Sequence, residues 1–180
     1  MIKKFKEYLK EEYNLNKSAK KDLKKVLDKD KQKHSLNVKN YLCQLDCDDE
    51  VEQAAIFHDF IEQGGSKKKL NKHITKKAKK YVNILTHDED VNVVNDFKNK
   101  TKKLSNNDKI KVFNIKLADR ADNFNKRIKN KDLSDEYINK TYKLLKYIIK
   151  NYPGDQVKLN KFINSNFTSK CKKLSKLLKL

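Results

Sequence analysis

The chain has 180 residues and a formal net charge of +20, with three glycines, one proline, three cysteines and no tryptophan. That length suits one domain around a single hydrophobic core, and the scarcity of Gly and Pro argues against turn-rich β classes and for an all-α fold. No run of 18 apolar residues occurs, and the opening MIKKFKEYLKEEYNLNK has neither the apolar core nor the small-residue cleavage site of a signal peptide. The expectation is therefore a cytoplasmic protein without a transmembrane segment.

The charge has two readings. Of 44 basic residues only Arg120 and Arg127 are arginine, and the lysines are spread along a chain also rich in Asn and Ile. A/T-rich coding produces that composition, so most of the charge reads as solvated helix faces, with binding of nucleic acid through the basic surface as the alternative. Positive potential also favours capture of a small anionic substrate. The odd cysteine count fits a reducing compartment. Cys43 and Cys47, one helical turn apart with no second pair nearby, read as free thiols rather than a zinc site.

In chain order, helix-spaced apolar residues predict segments over about 1–13, 18–29 and 34–45, the third with His34 just inside its start. The acidic stretch 48–50 suits a helix N-terminus, and the helix it opens is expected to reach Gln63 and stop at Gly64-Gly65. Residues 66–86 read as one helix and 90–100 as a short one. Ser105, with Asp108 three residues on, opens the longest helix in a capping-box-like way, and 134–152 forms another that Pro153-Gly154 ends. The expected organisation is one domain over 1–153 and a basic, amphipathic helical extension over 154–180 packed on it.

Candidate chemistry begins at AAIFHDFIEQ, residues 54–63, where His58 and Asp59 are embedded among Ala54, Ala55, Ile56, Phe57, Phe60 and Ile61. An unpaired carboxylate is costly in an apolar layer, and a metal ion would resolve that cost. A second pair, His87-Asp88, belongs to the polar stretch THDED and reads as an ordinary loop. Asp119 follows Ile115 by four residues and precedes Asn123 by four, so a carboxylate and an amide share one semi-apolar helix face. His34, His58, Asp59 and Asp119 together form a mixed N/O set from three helices, which suits an octahedral divalent metal between facing helices of a bundle.

The order H, HD, D resembles the HD phosphohydrolase superfamily. AAIFHDFIEQ is similar to the A-A-L-L-H-D-x-x-E-D stretch of the Rel/Spo-type (p)ppGpp hydrolases and their small metazoan homologues. NIKLADRADNF resembles their V-K-L-A-D-R-x-x-N motif, and KHSLNVKNYL matches their H-P-x-x-V-A-x-x-L loosely. The similarity covers about residues 20–130. It implies an HD-domain helical bundle holding one Mn²⁺, or another divalent metal, through His34, His58, Asp59 and Asp119. It further implies that Glu62 orients or activates the attacking water and that Asn123 lies near the ribose or the metal. Arg120 then either buttresses the site through a carboxylate pair or contacts substrate, and Lys116, with the lysines of GGSKKKLNK, holds distal phosphates.

Two departures bear on the reaction. Gln63 stands where the family has the second acid of its E-D pair; it can orient a water but not deprotonate it. KDKQKHSL replaces the basic, Gly-containing stretch associated with guanine recognition. The implied activity is 3'-pyrophosphate hydrolysis of (p)ppGpp. The alternatives are the same site on a nucleoside monophosphate, the 2'-phosphate of NADPH or a cyclic nucleotide, and a catalytically silent nucleotide- or nucleic-acid-binding module.

Overall fold

The computed structural model describes residues 15–45, 47–87 and 91–179, so the helix expected over 1–13 and Asp88 lie outside the described residues. Among the described residues there are only helices and turns, with no strand. Side-chain caps start most of the helices, each accepting from a backbone N–H two or three residues on. α1 (Lys17–Val26) begins at Asn16, α2 (Lys29–Leu42) at Asp28 and α3 (Asp49–Phe57) at Asp48. Ser66 opens α4 (Lys67–His73), Thr75 opens α5 (Lys76–Leu85) and Asn92 opens α6 (Val93–Thr101). Ser105 caps α7 (Asn106–Asn130), Ser134 caps α8 (Asp135–Asn151) and Asp155 caps α9 (Gln156–Asn166). A 3-10 turn, Thr168–Lys170, leads to α10 (Lys172–Leu178).

Three boundaries differ from expectation. The segment expected over 18–29 ends at Val26, because Leu27 is extended and Asp28 caps α2; His34 therefore sits in the second turn of its helix rather than at the start. The segment expected over 66–86 splits at Ile74-Thr75. The Thr75 hydroxyl accepts from Ala78 N while the Thr75 N–H donates to Gln53 Oε1, which holds the chain extended between α4 and α5. Finally, α3 ends at Phe57, and residues 58–64 continue as hydrogen-bonded turns instead of α-helix to Gln63.

That turn closes where the Gly pair stands. Gly64 has φ +86°, and the Gly65 N–H donates to Phe60 O at 2.8 Å. A Cβ on Gly65 would lie 2.3 Å from the Phe60 ring and 2.4 Å from its carbonyl oxygen, so only glycine fits.

α7 is the central element. Every residue from Val112 to Asp119 is buried, which is the condition of a helix covered on all sides. α2 packs along it, α3 packs on α2, α5 and α7, and α6 packs on α8. The C-terminal elements join the same core: Leu159, Ile163, Phe167 and Leu174 are fully buried, Phe167 packs on Phe124 of α7, and α10 lies on α8. The result is an all-helical bundle in which the polar residues His34, His58, Asp59, Lys116, Asp119 and Asp122 are nonetheless buried. Among the described residues no helix is long and apolar enough to cross a membrane.

Candidate metal centre

The buried polar residues meet where α2, the end of α3 and the middle of α7 converge. His34 comes from α2, and His58 and Asp59 begin the turn that follows α3. The His34 and His58 Nε2 atoms face each other at 3.2 Å. Asp59 Oδ1 lies 3.1 Å from His58 Nε2, and one ligand atom from each of the three residues falls within 4.8 Å of the others. Asp119 enters from α7, with Oδ1 3.3 Å from His34 Nε2 and 3.9 Å from His58 Nε2.

Both rings are held from behind. His34 Nδ1 is 2.6 Å from Asp122 Oδ2, and Asp122 is itself held by Asn37 Nδ2 at 2.8 Å. His58 Nδ1 is 2.7 Å from the Ala55 carbonyl oxygen, one turn back. An acceptor at each Nδ1 puts the hydrogen there and leaves two Nε2 lone pairs turned toward one another and toward carboxylate oxygens. Such a focus of electron density needs a cation or protons, and imidazoles fixed through Nδ1 are what metal-ligating histidines need. The donor set therefore fits a divalent ion.

The electrostatics agree. Burial alone would lower the His34 pKa, but hydrogen bonds to Asp119 and Asp122 outweigh it and hold the ring up at about 9. Burial likewise opposes charge on His58, and the Asp59 carboxylate overrides it, so this pKa is raised too. The carboxylates move the other way. Burial would raise Asp59, yet His58 holds it below the usual range. Asp119 is held well below that range by Lys116 and His34, against its own burial.

Beside the cluster lies an open pocket of about 260 Å³ whose wall includes His58, Asp59, Glu62, Lys116, Asp119 and Asn123. Asn123 Nδ2 donates to Asp119 Oδ1 at 2.7 Å, and Lys116 Nζ is 3.0 Å from Asp119 Oδ2. Glu62 is exposed, and its Oε1 accepts from the His87 N–H at 2.8 Å. Gln63, one step further round the turn, is exposed and lies outside this wall, as do Lys67, Lys68, Lys69 and Lys72 of the lysine-rich stretch.

Arg120 lines the pocket, but among the described residues no carboxylate pairs with it. Its guanidinium lies 5.0 Å from the centre of the Tyr137 ring, and Arg127 lies 4.3 Å from the same ring, so both arginines of the chain converge on one tyrosine of α8. The expected carboxylate buttress is thus replaced by a cation–π contact.

Four features escaped the sequence reading. Asp122, which orients His34, stands three residues after Asp119, a spacing that puts both on one helix face. Lys31, one turn before His34, brings Nζ to 3.3 Å from Asp59 Oδ2. Arg127 and Tyr137 carry no local signal. His87 is no ordinary loop residue: its side chain is buried and it lines the pocket.

An all-α bundle with a buried His/His/Asp cluster between the facing helices α2 and α3, opening on a pocket, supports a metal-dependent hydrolase. Comparison with family models, curated proteins and solved structures gave no match.

Proposed function

We propose that the chain is an HD-type phosphohydrolase that uses Mn²⁺ and removes the 3'-pyrophosphate of (p)ppGpp. The observation that carries this reading is the convergence of His34, His58, Asp59 and Asp119 on one point beside a pocket that also contains Glu62, Lys116 and Asn123. These are the residues on which the resemblance to the Rel/Spo-type hydrolases rests. When bound, a divalent ion supplies an electrophile for a phosphoryl oxygen and acidifies water.

The chain's own groups do the rest. His34, His58, Asp59 and Asp119 hold the ion, with Asp122 and the Ala55 carbonyl keeping both imidazoles in the ligating tautomer. Asn123 orients Asp119. Lys116, Arg120 and Arg127 offset phosphate charge at the pocket wall, and Glu62 positions the attacking water. In this reading residues 1–153 form the hydrolase domain, 154–180 are an extension of it, and the protein works in the cytoplasm on a small anionic nucleotide.

A second reading keeps the site and changes the nucleotide to a nucleoside monophosphate, NADPH or a cyclic nucleotide. It is favoured by Gln63 in place of the second acid of the family's E-D pair and by KDKQKHSL in place of the stretch associated with guanine recognition.

The test is release of phosphate or pyrophosphate from ppGpp, GTP, nucleoside monophosphates, cyclic nucleotides and NADPH, with Mn²⁺ and with chelator, beside an Asp119→Asn control. Pyrophosphate from ppGpp, lost under chelator and in the control, supports the first reading; phosphate from another member of the panel supports the second. If a metal-loaded protein cleaves nothing, the hydrolase proposal fails. Salt-sensitive nucleic-acid binding that survives chelation would then mark a binding module.

A further inference from the structure

His87 is built like a reactive group. It follows α5 directly, and its side chain is only 8% exposed. Nδ1 lies 2.7 Å from Asp96 Oδ2 on α6, and the same Asp96 oxygen is 2.7 Å from Lys100 Nζ. An ionised acceptor at Nδ1 places the ring hydrogen there, so Nε2 carries the lone pair. Nε2 is buried and has no hydrogen-bond partner among the described residues. Such an orphan is costly in a core and is expected where a ligand or a water completes it.

Position supplies the second argument. His87 lines the same pocket as His58, Asp59, Lys116 and Asp119, and its backbone N–H anchors Glu62. With Asp96 on Nδ1, Nε2 is the ring nitrogen left without a partner among the described residues. The groups that face the ring are Asp96 and Lys100 from α6, Lys116 from α7 and Glu62 from the turn after α3. Burial and the Lys116 charge outweigh the two carboxylates and lower the pKa from its usual 6.5, which leaves the imidazole neutral and able to accept a proton at neutral pH.

We infer that the Asp96–His87 pair is the general base of this pocket, a role that rests on the phosphohydrolase reading. Nε2 takes a proton from the attacking water as its oxygen bonds to phosphorus. The bond from phosphorus to the leaving oxygen breaks with its electron pair on that oxygen, which takes a proton from solvent, and the imidazolium afterwards returns its proton to solvent. No oxidant or reductant is involved. Asp96 keeps the lone pair on Nε2 and stabilises the transient imidazolium, as the carboxylate does in other Asp–His pairs. Glu62, held by the His87 backbone, orients the water. A neutral imidazole is better matched than a carboxylate to accepting a proton near pH 7.

Two measurements on the full-length chain test this. The first needs no turnover: long-range ¹H–¹⁵N NMR of the metal-free protein, with His87 assigned through His87→Gln. The expected result is a neutral ring at pH 7 with hydrogen on Nδ1; an imidazolium, or hydrogen on Nε2, overturns the proposal whatever the activity. The second is the pH–rate profile on the nucleotide that the wild type cleaves. Loss of the base is expected to lower kcat by about 100-fold in His87→Gln, the lower end of the general acid–base range. KM should change little and the acid limb of the profile should disappear. Asp96→Asn is expected to lower kcat with an altered acid limb, and thermal melts check that both variants fold.

If His87→Gln keeps the wild-type kcat and acid limb while Asp119→Asn is inactive, the base assignment fails and the hydrolase reading stands. If the wild type cleaves no phosphoester, both fall.

Discussion

His58 and His87 are both histidines followed by aspartate in the sequence, both with buried side chains and both fixed through Nδ1, yet their protons are biased in opposite directions. His58 leans on a neutral carbonyl, Ala55 O, and its Nε2 meets the carboxylates of Asp59 and Asp119, which raise its pKa against the effect of burial. His87 leans on a carboxylate, Asp96. It faces the Lys116 ammonium, which reinforces burial and lowers its pKa. What decides the behaviour of each imidazole is the sign of the charge brought to it by other helices. One is drawn toward the charged form and the other is kept neutral.

The comparison can be broken most forcefully at the ligands. His58→Ala removes a candidate donor atom and is expected to weaken Mn²⁺ binding by more than about 100-fold in calorimetric titration. Asp122→Asn, which only disturbs the orientation of His34, should cost about 10- to 100-fold. His87→Gln should leave Mn²⁺ affinity unchanged; a comparable loss there would erase the distinction between the two histidines.

The turn that carries His58 offers the next test. Gly65→Ala drives a Cβ into the Phe60 ring and carbonyl, and overpacking of this kind should destabilise the fold by about 1–3 kcal/mol in urea unfolding. Because Phe60 immediately follows the His58-Asp59 pair, metal affinity should fall as well, while the Asp96–His87 pair, which belongs to other segments, keeps its NMR signature.

A smaller effect concerns pH. His87 has a folded-state pKa below its unfolded value of about 6.5, so the unfolded chain binds the proton more readily and stability falls as pH drops through that value. In metal-free protein, His87→Gln removes this component. The melting-temperature difference between wild type and variant should therefore shift in the variant's favour on going from pH 7.5 to pH 5; a gap independent of pH would contradict the lowered pKa.

The smallest effect is expected at Lys31, whose partly exposed ammonium lies 3.3 Å from Asp59 Oδ2. Lys31→Met removes a cation competing for that carboxylate and should tighten Mn²⁺ binding by about 2- to 5-fold, the scale of a solvent-screened ion pair.

Much of this architecture is legible locally. Ser105 and the acidic 48–50 stretch announce helix starts, Pro153-Gly154 announces a stop, and the apolar company of His58 and Asp59 distinguishes them from a surface pair. The misplaced boundaries show the limit. Thr75 splits a continuous helical pattern because Gln53, far away in sequence, receives its N–H, and the helix expected to reach Gln63 gives way after Phe57 to turns in which Gly65 N–H returns to the Phe60 carbonyl. Arg120 was expected against a carboxylate and is found over Tyr137, since α8 brings an aromatic face to that point.

The sequence by itself determined the helical class, the helix starts at 48–50 and Ser105, the longest helix and the four candidate metal-site residues, because capping, periodicity and the cost of polar groups in apolar runs act over a few residues. Only the tertiary structure decided that Asp122 orients His34 across 88 residues of chain, that both arginines converge on Tyr137 and that the His87 side chain is buried beside the pocket with Asp96 at Nδ1. Those outcomes depend on which helix faces are pressed together, and the charge and hydrogen-bonding state of a buried side chain are set by the neighbours that packing supplies.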